Sequence, residues 1–270
     1  MITQTAKKLA RSTKDNSMLR VLARVGYAVN GLIHILIGVI AIGIATGTAN
    51  ADADEAGALG QLASSPGAAF ILWTVVIGLV ALGIWMLLTA FLNTDPDPKH
   101  KWAHRIADLG KALAYFIVAG TAVTIALGNS AGSEGGTSSA SAELLATPGG
   151  VFVLLAAGVA VLAVGCYFIY KGVTRKFRSD IDVPSGTIGR ATIALGVTGY
   201  VAKGVAIAVV GILLAVAAFT LDASKAEGLD GSLRALLGLP FGVAILCVVG
   251  GGLIAYGVYC FARARLARLH

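Results

Sequence analysis

Long apolar runs dominate the chain and alternate with short polar stretches. Six runs are long enough to cross the roughly 30 Å hydrocarbon layer of a bilayer as helices. They cover residues 25–46, 67–92, 106–127, 150–173, 192–219 and 241–262. None alternates polar and apolar residues as a barrel strand does. The pattern predicts an all-α polytopic membrane protein with six transmembrane helices.

The polar stretches between the runs differ in charge. Residues 1–24, 93–105, 174–191 and 263–270 are basic. The stretches 47–66, 128–149 and 220–240 are acidic or neutral, with Lys225 and Arg234 as their only lysine and arginine. Because short cytoplasmic loops carry the excess of these two residues, both termini are predicted to be cytoplasmic. The basic arm 1–23 is expected to lie along the anionic headgroups of the cytoplasmic leaflet.

Each acidic or neutral stretch ends in a short piece with apolar spacing, followed by a proline. The leucines are Leu59/Leu62, Leu144/Leu145 and Leu233/Leu236/Leu237, and the prolines are Pro66, Pro148 and Pro240. This arrangement predicts three short helices at the membrane interface, with each proline in the first turn of the next span. The glycine- and serine-rich composition of 128–142 predicts a flexible segment.

The spans repeat along the chain. When Arg24, Arg105 and Val197 are aligned, Asn30, Lys111 and Lys203 coincide, as do His34, Tyr115 and Ile207. Aligning the three prolines superimposes Trp85, Tyr167 and Tyr259 with nearly the same steps of 81–82 and 92 residues. An even number of spans per repeat makes the repeats parallel. We therefore predict three tandem two-helix repeats, 24–95, 96–180 and 181–270, with approximate threefold pseudo-symmetry.

Composition supports the membrane interpretation. The chain is 57% hydrophobic and only 13% charged, and that charged share is about half of what a soluble domain carries. The net charge of +7 lies mainly at the ends of spans, which indicates lipid headgroups rather than nucleic acid. Cys166, Cys247 and Cys260 lie inside apolar runs without a CxxC pair. They are expected to be small core residues, with no metal site and no disulfide.

His34 is the first candidate functional residue. It lies ten residues after Arg24, which places it roughly 15 Å deeper in a helix and near the middle of the membrane. An ionisable residue at that depth indicates a proton or ion role. The alternatives are a neutral histidine bonded to a carbonyl or hydroxyl group, or a metal or haem ligand, for which no second buried histidine is apparent.

Two lysines at equivalent repeat positions are the next candidates. Lys111 and Lys203 lie about 9 Å inside their spans, so each side chain can extend back to the cytoplasmic face. The alternative is a shared basic vestibule that binds an anion or a lipid headgroup. Asp108 precedes Lys111 by three residues and is expected to pair with it. Asn30 and Tyr115 complete the candidate intramembrane polar site.

Other motifs carry less chemistry. Asp95/Asp97 and Asp180/Asp182 are compatible with a cation site, but two carboxylates in a basic loop more often form a solvated turn. Residues 250–252 are three glycines inside a span and indicate a close helix contact or a kink. The sequence contains no Ser-His-Asp set, paired carboxylates or HExxH motif, so we expect neither catalysis nor a cofactor.

The repeated segments resemble a catalogued bacterial family. RVGYAVNGLIHILIG, RIADLGKALAYFIVAG and TGYVAKGVAIAVVG, together with LVALGIW and VAVLAVGCY, are similar to domain of unknown function 1206. The resemblance implies three two-helix modules and a plasma (inner) membrane location, and it implies no activity. Its pattern has a basic residue before a small one and then a tyrosine. Asn30, His34 and Ile207 depart from this pattern, so a role for that tyrosine would rest on Tyr115.

These observations leave two main functional hypotheses. The lack of catalytic motifs and the small-residue faces favour a non-catalytic scaffold, or an accessory subunit with a membrane protein partner. The alternative is a small passive channel or transporter for a proton, an anion or a lipid-like solute, based on His34, Lys111 and Lys203. A third hypothesis, an enzyme acting on lipid, has no motif behind it.

Overall fold

The computed structural model describes residues 17–49, 51–92, 98–129 and 136–267. In these ranges the chain forms nine α-helices and two short 3-10 turns, Lys176–Asp180 and Ala223–Lys225. The helices are α1 Ser17–Ala45, α2 Glu55–Ala63, α3 Ala68–Leu92, α4 Pro98–Ala126, α5 Gly136–Ala146, α6 Gly150–Val173, α7 Gly186–Thr220, α8 Leu229–Leu237 and α9 Gly242–Leu266. Six of them are long and apolar enough to span a membrane. The predicted all-α, six-span fold is confirmed, and the protein is a multi-pass membrane protein.

Several spans are longer than their apolar runs. α1 begins at Ser17, inside the predicted arm 1–23, of which residues 1–16 lie outside the described part of the chain. α4 begins at Pro98 rather than residue 106, and α7 begins at Gly186 rather than residue 192. Hydropathy marks only the part of a helix that lies in hydrocarbon, whereas backbone hydrogen bonding continues through the polar turns.

The three short helices are confirmed, but the prolines are not in the first turns of the spans. Each span begins two residues after its proline, at Ala68, Gly150 or Gly242. The intervening residue is left-handed, with φ of +79° at Gly67, +81° at Gly149 and +63° at Phe241. A proline followed by a positive φ is typical of a type II turn. The chain therefore turns at each proline before the span starts.

The segment 128–142, predicted to be flexible, contains the start of a helix. α5 begins at Gly136, and residues 130–135 lie outside the described part of the chain. Ser141 of α5 is buried. The leucines that follow supply apolar side chains for packing, with Leu144 and Leu145 against the buried Leu154 cluster. Packing of this apolar end outweighs the glycine- and serine-rich composition on which the prediction rested.

The chain divides into two compact units. Unit 1 comprises residues up to 30, 62–130 and from 260 onwards, and unit 2 comprises 31–61 and 131–259. The core of unit 1 is built on Tyr27 of α1, Leu82 and Trp85 of α3, and Ala112 of α4. Gly26 of α1 lies against the backbone of α3 at Gly78, so a larger residue would collide there.

Unit 2 is held together by close helix contacts at small residues. A Cβ atom added to Gly165 of α6 would meet the backbone of α7 at Gly204, and one added to Gly211 would meet α6 at Leu162. Gly38 of α1 faces Gly250 of α9 in the same way. Small residues let helices approach closely where no hydrophobic force between them is available. The close contact predicted for residues 250–252 is therefore confirmed.

The cysteines only partly match their predicted core positions. Cys260 is buried, Cys247 is partly buried and Cys166 is exposed on α6. On a transmembrane helix, apolar side chains face either lipid or the protein core. An apolar run alone therefore does not show which of its side chains are buried.

Candidate functional site

His34 and Lys203 meet inside unit 2. The Nζ atom of Lys203 on α7 lies 2.9 Å from Nε2 of His34 on α1. His34 is only 5% exposed. A hydrogen bond between these nitrogens needs a lone pair on one of them, since a protonated imidazole and an ammonium group both only donate. The lysine ammonium donating to a neutral imidazole satisfies this condition.

Aromatic rings surround the lysine ammonium group. Its Nζ lies 4.6 Å from the ring centroid of Tyr256 on α9 and 5.5 Å from that of Phe168 on α6. The Tyr256 ring also contacts His34, with 4.8 Å between centroids. A cation within about 6 Å of an aromatic face is attracted by the ring quadrupole. The two rings and the imidazole therefore give the ammonium group of Lys203 favourable contacts inside the protein.

An aromatic layer lies on one side of this pair. Its centre is Tyr200, which is 2% exposed and stacks on Phe177 with ring planes 10° apart. The layer consists of Phe168, Phe177, Tyr200, Tyr256 and Tyr259. Phe177 comes from the Lys176–Asp180 turn, which a 2.7 Å ion pair from Lys171 to Asp180 ties to α6. We call this end of unit 2 the turn end.

A cavity lies on the other side of the pair. Its volume is about 210 Å³. Along α7, its lining continues from Lys203 to Ile207 and Val210. The lining residues are His34, Ile37, Glu55, Val161, Lys203, Ala206, Ile207, Val210, Leu229 and Leu253. Glu55 begins α2 and Leu229 begins α8, so the cavity extends toward the end of unit 2 that carries these short helices. We call this the short-helix end.

The other predicted site residues lie in unit 1. The predicted pair of Asp108 and Lys111 is confirmed, with 2.8 Å between Oδ1 and Nζ. Asn30 is buried and donates its side-chain amide to Sγ of Cys260 at 3.5 Å. Tyr115 is partly buried and packs against the core cluster of unit 1. Unit 1 therefore neutralises its intramembrane lysine within one helix.

Two predictions about individual residues are wrong. Lys203 was expected to extend toward the cytoplasmic face, yet its ammonium group points to His34 because that imidazole offers an acceptor. Asp180, expected in a solvated turn, is paired with Lys171. Asp95 and Asp97 lie outside the described residues.

Three residues of this site are missing from the sequence interpretation. Tyr256 and Phe168 supply the rings around Lys203, and Glu55 supplies the carboxylate of the cavity. Tyr256 lies one turn before Tyr259 on the same helix, which was a usable signal. Glu55 begins a predicted interfacial helix, and acidic residues are common in the first turn of a helix. No signal in the sequence distinguishes Phe168 from its lipid-facing neighbours.

The arrangement favours electrostatic binding over metal ligation. Within residues 17–49, 51–92, 98–129 and 136–267, no group of three His, Cys, Asp or Glu side chains is placed to hold a metal ion. A lysine ammonium has no lone pair to offer a metal, whereas it attracts anions. The described site presents an ammonium group and an imidazole to the cavity.

Comparison with known proteins agrees with the repeat pattern. The profile of the family described as Domain of Unknown Function (DUF1206) matches residues 25–93, 109–175 and 198–267. The chain belongs to this family. Each DUF1206 match contains two long helices and the short helix between them, so the three predicted repeats are confirmed and fit the threefold organisation. The uncharacterized protein YxxB of Bacillus subtilis (strain 168) is 30% identical over 264 residues, covering 95% of this chain and 93% of that protein. No solved structure matches the chain.

Proposed function

We propose that the protein is a non-catalytic membrane protein that gives small anions a passive path across the plasma membrane. The observation that supports this most strongly is the ammonium group of Lys203 at the inner end of an otherwise largely apolar cavity. Fixed cations in a low-dielectric pore attract anions and exclude cations. On this basis we propose the channel or transporter class in preference to the scaffold class that the sequence favours.

The lining of the cavity supports an anion rather than a metal cation. Ile37, Ala206 and Val210 offer no oxygen ligand that would replace the hydration shell of a metal ion. The carboxylate of Glu55 is at the short-helix end, whereas the deepest group is cationic. An ionisable group at membrane depth that lines a cavity commonly marks the path of an ion.

The charge bias of the loops supplies a direction for this path. With both termini in the cytoplasm, the short-helix end faces outward and the turn end faces the cytoplasm. The cavity is then open toward the outside, and the aromatic layer around Tyr200 is the closed side. Passage requires this layer to open. The basic arm 1–23 would bind the anionic cytoplasmic leaflet.

The test is anion flux in liposomes that contain the purified protein. We expect chloride and acetate fluxes above those of empty liposomes, and their loss in Lys203→Met. Lys203→Arg, which keeps the charge, should retain part of the flux. Lys111→Met is the matched control, because that lysine has the equivalent repeat position and is already paired with Asp108. Flux in Lys203→Met equal to that of the unmodified protein would contradict the proposal.

A second candidate function is an accessory subunit of a membrane complex, and α4 supports it. Ala107, Gly110 and Ala114 form an exposed small-residue face on this helix. Outside the local backbone of α4, no atom of the described residues lies within 4 Å of a Cβ built on Gly110, whereas Gly165 and Gly204 face neighbouring backbones. Small-residue faces are typical helix contacts in membranes.

Gentle-detergent purification tests this second candidate. If a partner helix packs on α4, a membrane protein should co-purify with the chain. Gly110→Leu should release this partner without changing the thermal unfolding of the chain. Gly251→Leu on α9 is the control, since that glycine is also exposed without a described neighbour within 4 Å. Purification of the chain alone, or equal loss of the partner in both variants, would count against this candidate.

A further inference from the structure

We infer that the cavity of unit 2 binds a short-chain monocarboxylate together with one proton, which His34 accepts. This inference rests on the proposed anion path and names the chemical class of its ligand. It follows from three features of the cavity: a lysine at one end, an apolar wall, and an imidazole within hydrogen-bonding distance of that lysine.

The shape and polarity of the cavity fit an anion with an apolar tail. About 210 Å³ is the liquid volume of about seven water molecules at about 30 Å³ each. Beyond Lys203 the wall is made of Ile37, Ala206, Ile207 and Val210, which cannot hydrogen-bond through their side chains. A carboxylate at Lys203 would leave its alkyl chain among these residues. Burying the chain there removes apolar surface from water.

The charges around the pair favour uptake of a proton with the anion. The titratable and charged groups described around His34 include Lys203 from α7 and Tyr256 from α9, which contact it, and Glu55 from α2, which lines the same cavity. α6 contributes Phe168 and Val161, and α8 contributes Leu229, none of which titrates.

Uptake of one proton with one anion would leave the charge of the cavity unchanged. In the lining the ammonium of Lys203 and the carboxylate of Glu55 carry opposite charges. An added anion alone would leave one uncompensated negative charge in a low-dielectric site, which is costly. A proton on His34 compensates this charge, so the two are expected to enter together.

The 2.9 Å contact supplies a route for this coupling. In the free site the ammonium group of Lys203 donates a hydrogen bond to the lone pair of Nε2 on His34. An entering carboxylate accepts from the ammonium group in its place, which frees the lone pair. His34 then takes a proton from solvent in the cavity, and its Nε2–H donates to the second carboxylate oxygen. One anion and one proton are bound, and no covalent bond other than N–H is made.

The experiment is calorimetric titration of butyrate into the protein in lipid nanodiscs. Repeating the titration in buffers of different ionisation enthalpy measures the protons taken up per anion, and we expect about one. Where His34 is neutral in the free site, the butyrate Kd should rise about tenfold per pH unit. Butyrate should also bind about tenfold more tightly than acetate, because its longer chain buries more apolar surface.

Three variants separate the roles of the polar residues. His34→Gln keeps an acceptor for Lys203 but does not titrate, so it should bind butyrate more weakly, with no proton uptake and a flat pH dependence. Glu55→Gln removes a negative charge from the cavity and should bind butyrate more tightly, with proton uptake retained. Lys203→Met should not bind, whereas Lys111→Met should bind as the unmodified protein does.

The outcomes distinguish this inference from the proposed function. Butyrate binding without proton uptake, an unchanged pH dependence in His34→Gln, or equal affinity for acetate would overturn the inference. Each of these leaves the anion path intact if Lys203-dependent flux is measured. Absence of both flux and binding would overturn the inference and the proposed function together.

Discussion

Lys111 and Lys203 have equivalent positions in the second and third repeats, yet their surroundings differ. The Lys111 side chain is 42% exposed and forms an ion pair with Asp108 on its own helix. The ammonium of Lys203 is directed to His34 and two aromatic rings. The repeat therefore gives the two lysines equivalent positions, whereas the neighbouring side chains decide which groups each ammonium group contacts.

The position three residues earlier accounts for the difference. It holds Asp108 in the second repeat and Tyr200 in the third. A carboxylate at this spacing reaches the lysine within one helix. A tyrosine ring does not neutralise the charge, so Lys203 takes its hydrogen-bond acceptor from another repeat. One difference between the repeats thus separates a lysine paired within its own helix from one whose ammonium group contacts a histidine of another helix.

The largest expected effect compares these two neighbours directly. Tyr200→Ala should lower the free energy of unfolding by about 3–5 kcal/mol, because a fully buried ring in a stacked cluster is removed. Asp108→Ala should lower it by less than about 1 kcal/mol, because its partner Lys111 is partly solvated. Unfolding of both variants in the same detergent measures the contrast. Equal losses would show that the aromatic layer does not hold unit 2 together.

A second comparison concerns the position just before each lysine. Ala202 is 8% exposed and meets α9 at Gly252, whereas Gly110 is exposed on α4. Ala202→Leu should destabilise the protein by about 1–3 kcal/mol through overpacking. Gly110→Leu should be neutral or stabilise it by up to about 1 kcal/mol, since leucine favours a helix more than glycine does. A large loss of stability in Gly110→Leu would mean that another part of the protein packs against this face of α4.

The smallest effect is expected at the turns after the prolines. Gly149 and Phe241 are equivalent, and both have a positive φ. Phe241→Gly should stabilise the protein by about 1 kcal/mol, because a left-handed residue with a Cβ atom is strained. Gly149→Ala should destabilise it by a similar amount. Thermal unfolding of the two variants measures this. A lower stability of Phe241→Gly would show that the exposed ring of Phe241 makes a stabilising contact.

The fold was largely predictable because it depends on local properties. Apolar runs of sufficient length located all six spans, and leucine spacing before Pro66, Pro148 and Pro240 located the three short helices. The Asp108–Lys111 pair was also predictable, because helical spacing alone brings the two side chains together. The helical start of α5 at Gly136 was not, since packing of its later leucines outweighs the composition of its first residues.

The site was predictable only in part because its contacts are long-range. His34 and Lys203 were both candidates, but 169 residues separate them. Periodicity places each on a helix face and does not pair the faces of different helices. Glu55, Phe168 and Tyr256 enter through tertiary packing and lack a distinguishing local pattern. Aromatic residues on apolar spans are especially ambiguous, because the same side chain suits lipid and core.

The distance along the chain between His34 and Lys203 has a consequence for biosynthesis. At about 5–20 residues per second, a ribosome needs about 10–30 s to make the intervening 169 residues. During that interval the nascent protein contains the histidine but not the lysine. An uncharged imidazole in an apolar segment costs less free energy than an unpaired cation would. The ammonium group arrives late and finds an acceptor already inserted. Tyr256 follows later still, so the pocket is completed only when the last helix has entered the bilayer.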